Sequence, residues 1–355
     1  MGGEGIGSEV WDTIIVGQGL AGTTLAWRLK TAGQRVLLLD ACEAVTSSKI
    51  AAGLMTPITG QRLVLTANCD ALLAEAGAFY GAIEELTACK FFHERTAVRL
   101  FQTEAERVAW APRSLRQEYQ SYVASPAPEP LLDPALGDAS EGGFAMRAAQ
   151  LDVAGYLEAS RSVLPWVALA LDWERDVVLG DKGVTVGEHR AARLISCEGY
   201  AAARNPYFLW VPFKAAKGDI LTVLFQGNVP PQCFHRGIWI APTAEADVFR
   251  VGASYDWARL DQVPDEEARA EIERKLQTFW RVPYTVLNHE AAVRPIIAES
   301  KPVMGVHPAH PQLAYFNGLG SKGALHAPWF TEVFARHLVD GAALPADVDL
   351  RKFYR

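Results

Sequence analysis

The residues best able to do chemistry stand near the start of the chain. Gly17-Gln18-Gly19-Leu20-Ala21-Gly22 is a glycine turn, and Asp40 closes the apolar run Val36 to Leu39. In such a turn Gly17 permits a tight bend, Gly19 lets the backbone approach a pyrophosphate, and Gly22 lets a helix pack close to a strand. The N–H groups of Leu20 and Ala21, at the start of that helix, would face the anion. An acid such as Asp40 accepts hydrogen bonds from ribose hydroxyls. This is the chemistry of a bound dinucleotide, and the turn itself does not distinguish NAD from FAD.

Positioning these residues takes strand, turn, helix and strand in that order. Trp11 to Asp40 supplies them: Thr13 to Val16 is β-branched, Leu20 to Ala32 is apolar at helical spacing, and Gly33 stops the helix. Near the far end, Asn317 to Gly323 (NGLGSKG) is a second glycine turn, between a short strand Leu313 to Phe316 and a helix Ala324 to Leu338. One cofactor gripped by both ends of the chain is the natural reading. Between them, Val45 to Arg62 carries Ser47, Ser48, Ala51, Ala52 and Gly53, small enough for backbone and hydroxyls to lie against something flat and polar, or for close packing alone.

The rest of the chain reads as mixed α/β. Leu72 to Leu86, Leu151 to Leu164 and Asp265 to Phe279 have helical periodicity, and Phe91 to Phe101 reads as a strand. Pro126, Pro128, Pro130 and Pro134 make Ser125 to Ser140 a loop. Valines 177, 178, 184 and 186 flank Gly180 to Gly183 as a hairpin, and Ala192 to Gly199 is a buried-type strand that rejoins the nucleotide-binding sheet. Ile220 to Phe225, Ile238 to Ala241 and Phe249 to Ala253 predict an antiparallel sheet.

Composition narrows the function. The formal charge is −7 with no basic tract, so a nucleic acid is a poor default partner. Cys42, Cys69, Cys89, Cys197 and Cys233 lack metal-ligand spacing, and no histidine pair does better, so no metal is expected and the thiols read as free in a reducing compartment. The first ten residues read as neither signal peptide nor membrane span, which makes cytoplasm the default location.

With these residues in place, the chain resembles the FAD-dependent amine and amino-acid oxidoreductases of the D-amino-acid oxidase and glycine oxidase family. Within it, the likeness is to the C-terminal oxidase domain of the bacterial bifunctional enzyme that makes methylaminomethyl-uridine in tRNA. Carrying the likeness are GQGLAG with Asp40, SSKIAAGLMTPITG, the strand ending SCEG, KGDIL, WIAP, Arg294-Pro295, KPVMG and GLGSKGALHAPWF. The resemblance implies noncovalent FAD in a Rossmann-like domain, with a second, mainly antiparallel β domain binding the substrate. It divides the chain into 11–79, 145–208 and 292–355 for FAD, and 80–144 and 209–291 for substrate. The implied reaction moves a hydride from the carbon beside a substrate nitrogen to flavin N5, leaving an imine that hydrolyses; oxygen or another acceptor then takes the electrons.

The resemblance also implies roles. Gly17, Gly19, Leu20, Ala21, Gly22 and Asp40 would hold the ADP half, and Val177 would meet the adenine through its backbone. Ser47, Ser48, Ala52, Gly53 and Gly199 would line the pyrophosphate and flavin, while Gly318, Gly320, Ser321, Lys322 and Gly323 would meet the isoalloxazine edge. Arg294 would bind the substrate carboxylate, for which a guanidinium offers two parallel hydrogen bonds. Trp239 stands where glycine oxidase has a substrate-fixing tyrosine. Each has a plainer alternative: Arg294 as a buried ion-pair partner, Trp239 as core, Lys322 as surface. The expected substrate is a small amino acid or N-substituted glycine. Alternatives are a stand-alone oxidase of a carboxymethylaminomethyl-uridine in tRNA and a flavin-binding protein without turnover.

Overall fold

The computed structural model describes residues 10–123 and 131–354. Residues 1–9, read above as untargeted, and the start of the proline-rich run lie outside that description. The nucleotide unit forms as its spacing requires: β1 (Val10–Val16), α1 (Leu20–Thr31) and β2 (Val36–Asp40), with β1 and β2 parallel. Gly33, at φ +82°, takes the left-handed conformation just past α1. Then come β3 (Leu54–Met55), β4 (Ile58–Thr59), β5 (Val64–Leu65), α2 (Cys69–Thr87) and β6 (Phe92–Leu100). Next are α3 (Glu104–Ser114), α4 (Gln117–Gln120), β7 (Gly143–Leu151) and α5 (Val153–Arg161). Asp152 caps α5 through the Gly155 N–H, which ends β7 and starts the helix within one residue.

After β8 (Trp166–Ala168) the expected valine hairpin appears as β9 (Val177–Gly180) and β10 (Gly183–Val186), followed by β11 (His189–Ser196). A run of strands follows: β12 (Ala216–Phe225), β13 (Cys233–Arg236), β14 (Ile238–Pro242) and β15 (Val248–Gly252). The chain finishes with α6 (Glu266–Gln277), β16 (Tyr284–Arg294), β17 (Val303–Val306), β18 (Leu313–Asn317) and α7 (Gly323–Asp340).

Two eight-stranded sheets result. The first runs β17-β18-β11-β1-β2-β8, with the β9–β10 hairpin on the early half of β11. Its five central and edge strands from β18 to β8 are parallel and buried on both faces: Ile15 and Leu38 pack toward the helices, Ile14, Leu37 and Leu39 toward the hairpin and C-terminus. The second runs β16-β12-β15-β14-β13-β6-β7-β3 and is antiparallel except where β6 meets β13. Its residues alternate: Val98, Leu100, Leu221, Val223, Ile238 and Ile240 pack with α6 residues Ile272 and Leu276, while their neighbours Arg99, Ile220 and Trp239 face the first sheet's ligand side. Strands β3 and β7 pair in this second sheet, although residues 54–55 and 145–151 fall within segments expected to serve the nucleotide unit.

Candidate active site

A cavity of about 1120 Å³ opens between the carboxyl ends of the first sheet's parallel strands and the face of the second. In a parallel sheet this is where ligands bind, because helix N-termini and loops converge there. Gly17, at φ +98°, makes the tight bend beside Cys197, and a Cβ on Gly22 would overlap the Gly17 carbonyl oxygen. A Cβ on Gly19 would press on Ser48 Oγ, which accepts the Leu20 N–H at 3.0 Å. The SSKIAAG segment is thereby pinned against the start of α1.

Most of the expected residues meet here. Gly17, Gly19, Leu20, Ala21, Asp40, Ser47, Ser48, Ala52, Gly53 and Gly199 line the cavity, as do Gly320, Ser321, Lys322, Gly323, Trp239 and Arg294. Gly22 and Gly318 stand behind the lining; a Cβ on Gly318, at φ +84°, would press on Ile297 and the Lys301 carbonyl. Val177, expected to meet an adenine through its backbone, is not among the lining residues. It is buried in β9 among the hairpin's core, and at that end the wall is Leu169, Ala170 and Leu171, which follow β8.

Asp40 is held by partners that the sequence did not announce, beside the N–H of nearby Cys42. Its Oδ2 accepts the Gln18 N–H at 2.8 Å and its Oδ1 accepts Arg161 Nη2 at 2.6 Å. The Arg161 guanidinium lies over the Trp166 ring, 4.4 Å from its centroid. Glu198, the acid of SCEG, is half-buried and held by Trp173 Nε1, Ser196 Oγ and Asn205 Nδ2; its removal from water pushes its pKa above the usual carboxylate value. Asn317 Nδ2 donates to the Gly199 carbonyl at 2.7 Å, tying the end of β11 to the second glycine turn.

Arg294 and Lys322 are half-buried cations in the cavity wall. Arg294 ends β16, and its Nη1 donates to the carbonyls of Lys217 and Ser254, each at 3.3 Å. Its guanidinium sits 4.3 Å from the Tyr255 ring centroid, and burial lowers its pKa from the ordinary arginine value. Lys322 Nζ donates to Thr66 Oγ1 at 3.1 Å at the start of α7, and burial lowers its pKa too. Among the described residues no carboxylate is in ion-pair contact with either, and Asp219 acts on Arg294 only from farther off.

Two glycines bring Arg294 and Trp239 together. A Cβ on Gly218 of β12 would overlap the guanidinium, and one on Gly252 of β15 would meet the Trp239 ring at 3.2 Å. Since β12 and β15 are hydrogen-bonded neighbours and Trp239 pairs with Gly252, cation and indole lie over the same face of the sheet. Neither glycine was marked as functional in the sequence, where Gly218 is one residue of KGDIL.

The site also fits an extended flavin nucleotide. Turns from both ends of the chain, an acid at the tip of β2, helix N-termini at α1 and α7 and a long cavity joining them supply what such a ligand needs. No helix among the described residues is long and apolar enough to cross a membrane, and no group of His, Cys, Asp or Glu there could hold a metal.

Known structures share this fold. Glycine oxidase from Geobacillus kaustophilus superposes with a TM-score of 0.79 at 17% identity, covering 97% of this chain and 99% of its own. Iminodiacetate oxidase from a Chelativorans species gives 0.71 at 19%, over 96% and 98%. L-proline dehydrogenase from P. horikoshii gives 0.75 at 15%, over 97% and 98%. At such identities these likenesses speak for the fold. The family itself is shown by the sequence model for FAD dependent oxidoreductase, which matches residues 12–337, and the chain belongs to that family.

Proposed function

We propose that this FAD-dependent oxidoreductase oxidises the C–N bond of a carboxylated amine, a small amino acid or N-substituted glycine. The observation that carries this reading is Arg294: a half-buried guanidinium in the cavity wall, held by two carbonyls and an aromatic face, with no carboxylate in ion-pair contact among the described residues. Such a cation is stabilised by an incoming carboxylate, which it can grip bidentately. Bound FAD supplies the hydride acceptor. The chain's part is to orient. Arg294 fixes the acid, the Trp239 indole walls the pocket over Gly252, and Lys322 places positive charge at the N-terminus of α7.

On this reading the first sheet holds the cofactor and the second covers it, with β3 and β7 joining the cover. A tRNA-borne N-alkylglycine is a second reading, favoured by one observation. Tyr255 and Trp257 stack at 5.6 Å and 25° and are 49% and 64% exposed, beside Arg294, where a flat heterocycle could rest. The test is anaerobic mixing of holoenzyme with amino acids, N-methyl amino acids and bulk tRNA. Bleaching of the flavin by a carboxylated amine supports the proposal; bleaching by tRNA alone supports the second reading; bleaching by none sinks both.

A further inference from the structure

The cavity continues past Trp239 to a polar group that the proposed reaction leaves unused. Arg99 on β6, His235 on β13 and Trp239 on β14 stand directly across from one another in adjacent strands. Their side chains therefore leave the same face of the sheet, and all three line the cavity. The wall around them is apolar, formed by Ala97, Met146 and Cys233.

Arg99 is 4% exposed. Its Nη2 pairs with Glu106 Oε1 at 2.8 Å, its Nη1 bonds the His235 ring, and its Nε has no hydrogen-bond partner. A buried donor left unpaired is costly, so a ligand atom that completes it is favoured there. The charge of the group decides what kind of atom. Arg99 and Glu106 sum to zero, and burial with Arg99 alongside pushes the His235 pKa down to about 3, so the ring is neutral at ordinary pH. One ring nitrogen accepts from Arg99, which leaves the other to carry the proton. The cluster thus offers N–H donors without net charge. A carboxylate placed here would bring an unbalanced buried charge close to Glu106, whereas a carbonyl oxygen would bring none.

We propose that Arg99 and His235 form a distal subsite for a neutral hydrogen-bond acceptor, a carbonyl oxygen borne on the nitrogen substituent of the substrate. The substrate is then an N-substituted glycine with an extended carbonyl-bearing arm, a conclusion that rests on the carboxylate reading of Arg294. Arg294 reaches over β12 and His235 stands on β13, three strand spacings away, or roughly 14 Å. An arm of several methylenes spans that distance.

Three probes of matched length test this: N-(5-carbamoylpentyl)glycine, its apolar isostere N-(6-methylheptyl)glycine, and the diacid N-(5-carboxypentyl)glycine. Each is titrated anaerobically into holoenzyme, with Kd read from perturbation of the flavin spectrum and reduction followed separately. The subsite predicts that the carbamoyl probe binds about tenfold more tightly than either other probe. Arg99→Lys, which keeps a cation for Glu106 but loses Nε, should erase that preference. Equal binding of carbamoyl and apolar probes, tightest binding of the diacid, or a preference surviving in Arg99→Lys would each overturn the subsite. The parent series decides the matter even if the variant does not fold. Preference without flavin reduction would uphold the subsite and remove the proposed reaction; reduction without preference would do the reverse.

Discussion

Arg294, Asp40 and Lys322 each make a separate prediction. Arg294→Lys keeps the charge but loses the planar fork and the stacking on Tyr255, so KM for a carboxylated amine should rise about tenfold or more, equivalent to about 1.4 kcal/mol. Steady-state kinetics on one acid substrate measure it, and an unchanged KM would return Arg294 to a structural role. Asp40→Ala removes a charged acceptor worth about 1.5–3 kcal/mol, and should weaken FAD retention by about tenfold to a hundredfold, read by equilibrium dialysis. Full retention would mean that Asp40 serves only to hold Gln18 and Arg161. Lys322→Met should make flavin reduction harder, lowering the two-electron potential by about 30 mV, the equivalent of about 1.4 kcal/mol. Burial holds the Lys322 ammonium below the ordinary lysine value, so raising the pH neutralises it early. The parent's advantage in potential should therefore fade as pH rises through that lowered value, and a gap that never closes would contradict the assignment.

At the scale of elements, β12 and β15 decide where the site's side chains go. Gly218→Ala should displace the Arg294 guanidinium and raise KM for acid substrates about tenfold, while FAD content stays at the parent level. Normal KM in that variant would show that Arg294 can reach its place by another path. These two glycines also mark the limit of what the sequence disclosed. The βαβ unit was legible because Gly17, Gly22 and Gly33 act on their immediate neighbours, and local geometry is written locally. The second glycine turn, α2, α6, the valine hairpin and the β11 strand were legible for the same reason. Gly218, Gly252, Arg161, Arg99 and His235 were not, because their partners come from distant strands and helices brought into register only by the sheets.

At the scale of the molecule, both ends of the chain close on one cavity, with α1 and α7 packed together and the second sheet laid across. A ligand held by such distant segments stabilises the fold by mass action: at a hundred times its Kd, FAD contributes about 2.7 kcal/mol. For a chain of 355 residues this predicts that removing FAD lowers the melting temperature by roughly 4 °C, measurable by calorimetry with and without added FAD. An identical melting point would mean that the glycine turns do not grip the cofactor. Whether Arg294 selects a carboxylated amine is decided by anaerobic flavin reduction. Parent and Arg294→Lys are each mixed with a panel of amino acids and N-substituted glycines and with the amines that lack their carboxylate. An acid should bleach the parent flavin, the variant should lose about tenfold in kcat/KM on that acid, and reduction by the decarboxylated amine should change little between the two. Equal losses on both substrates, or reduction by the amine alone, would contradict that selectivity.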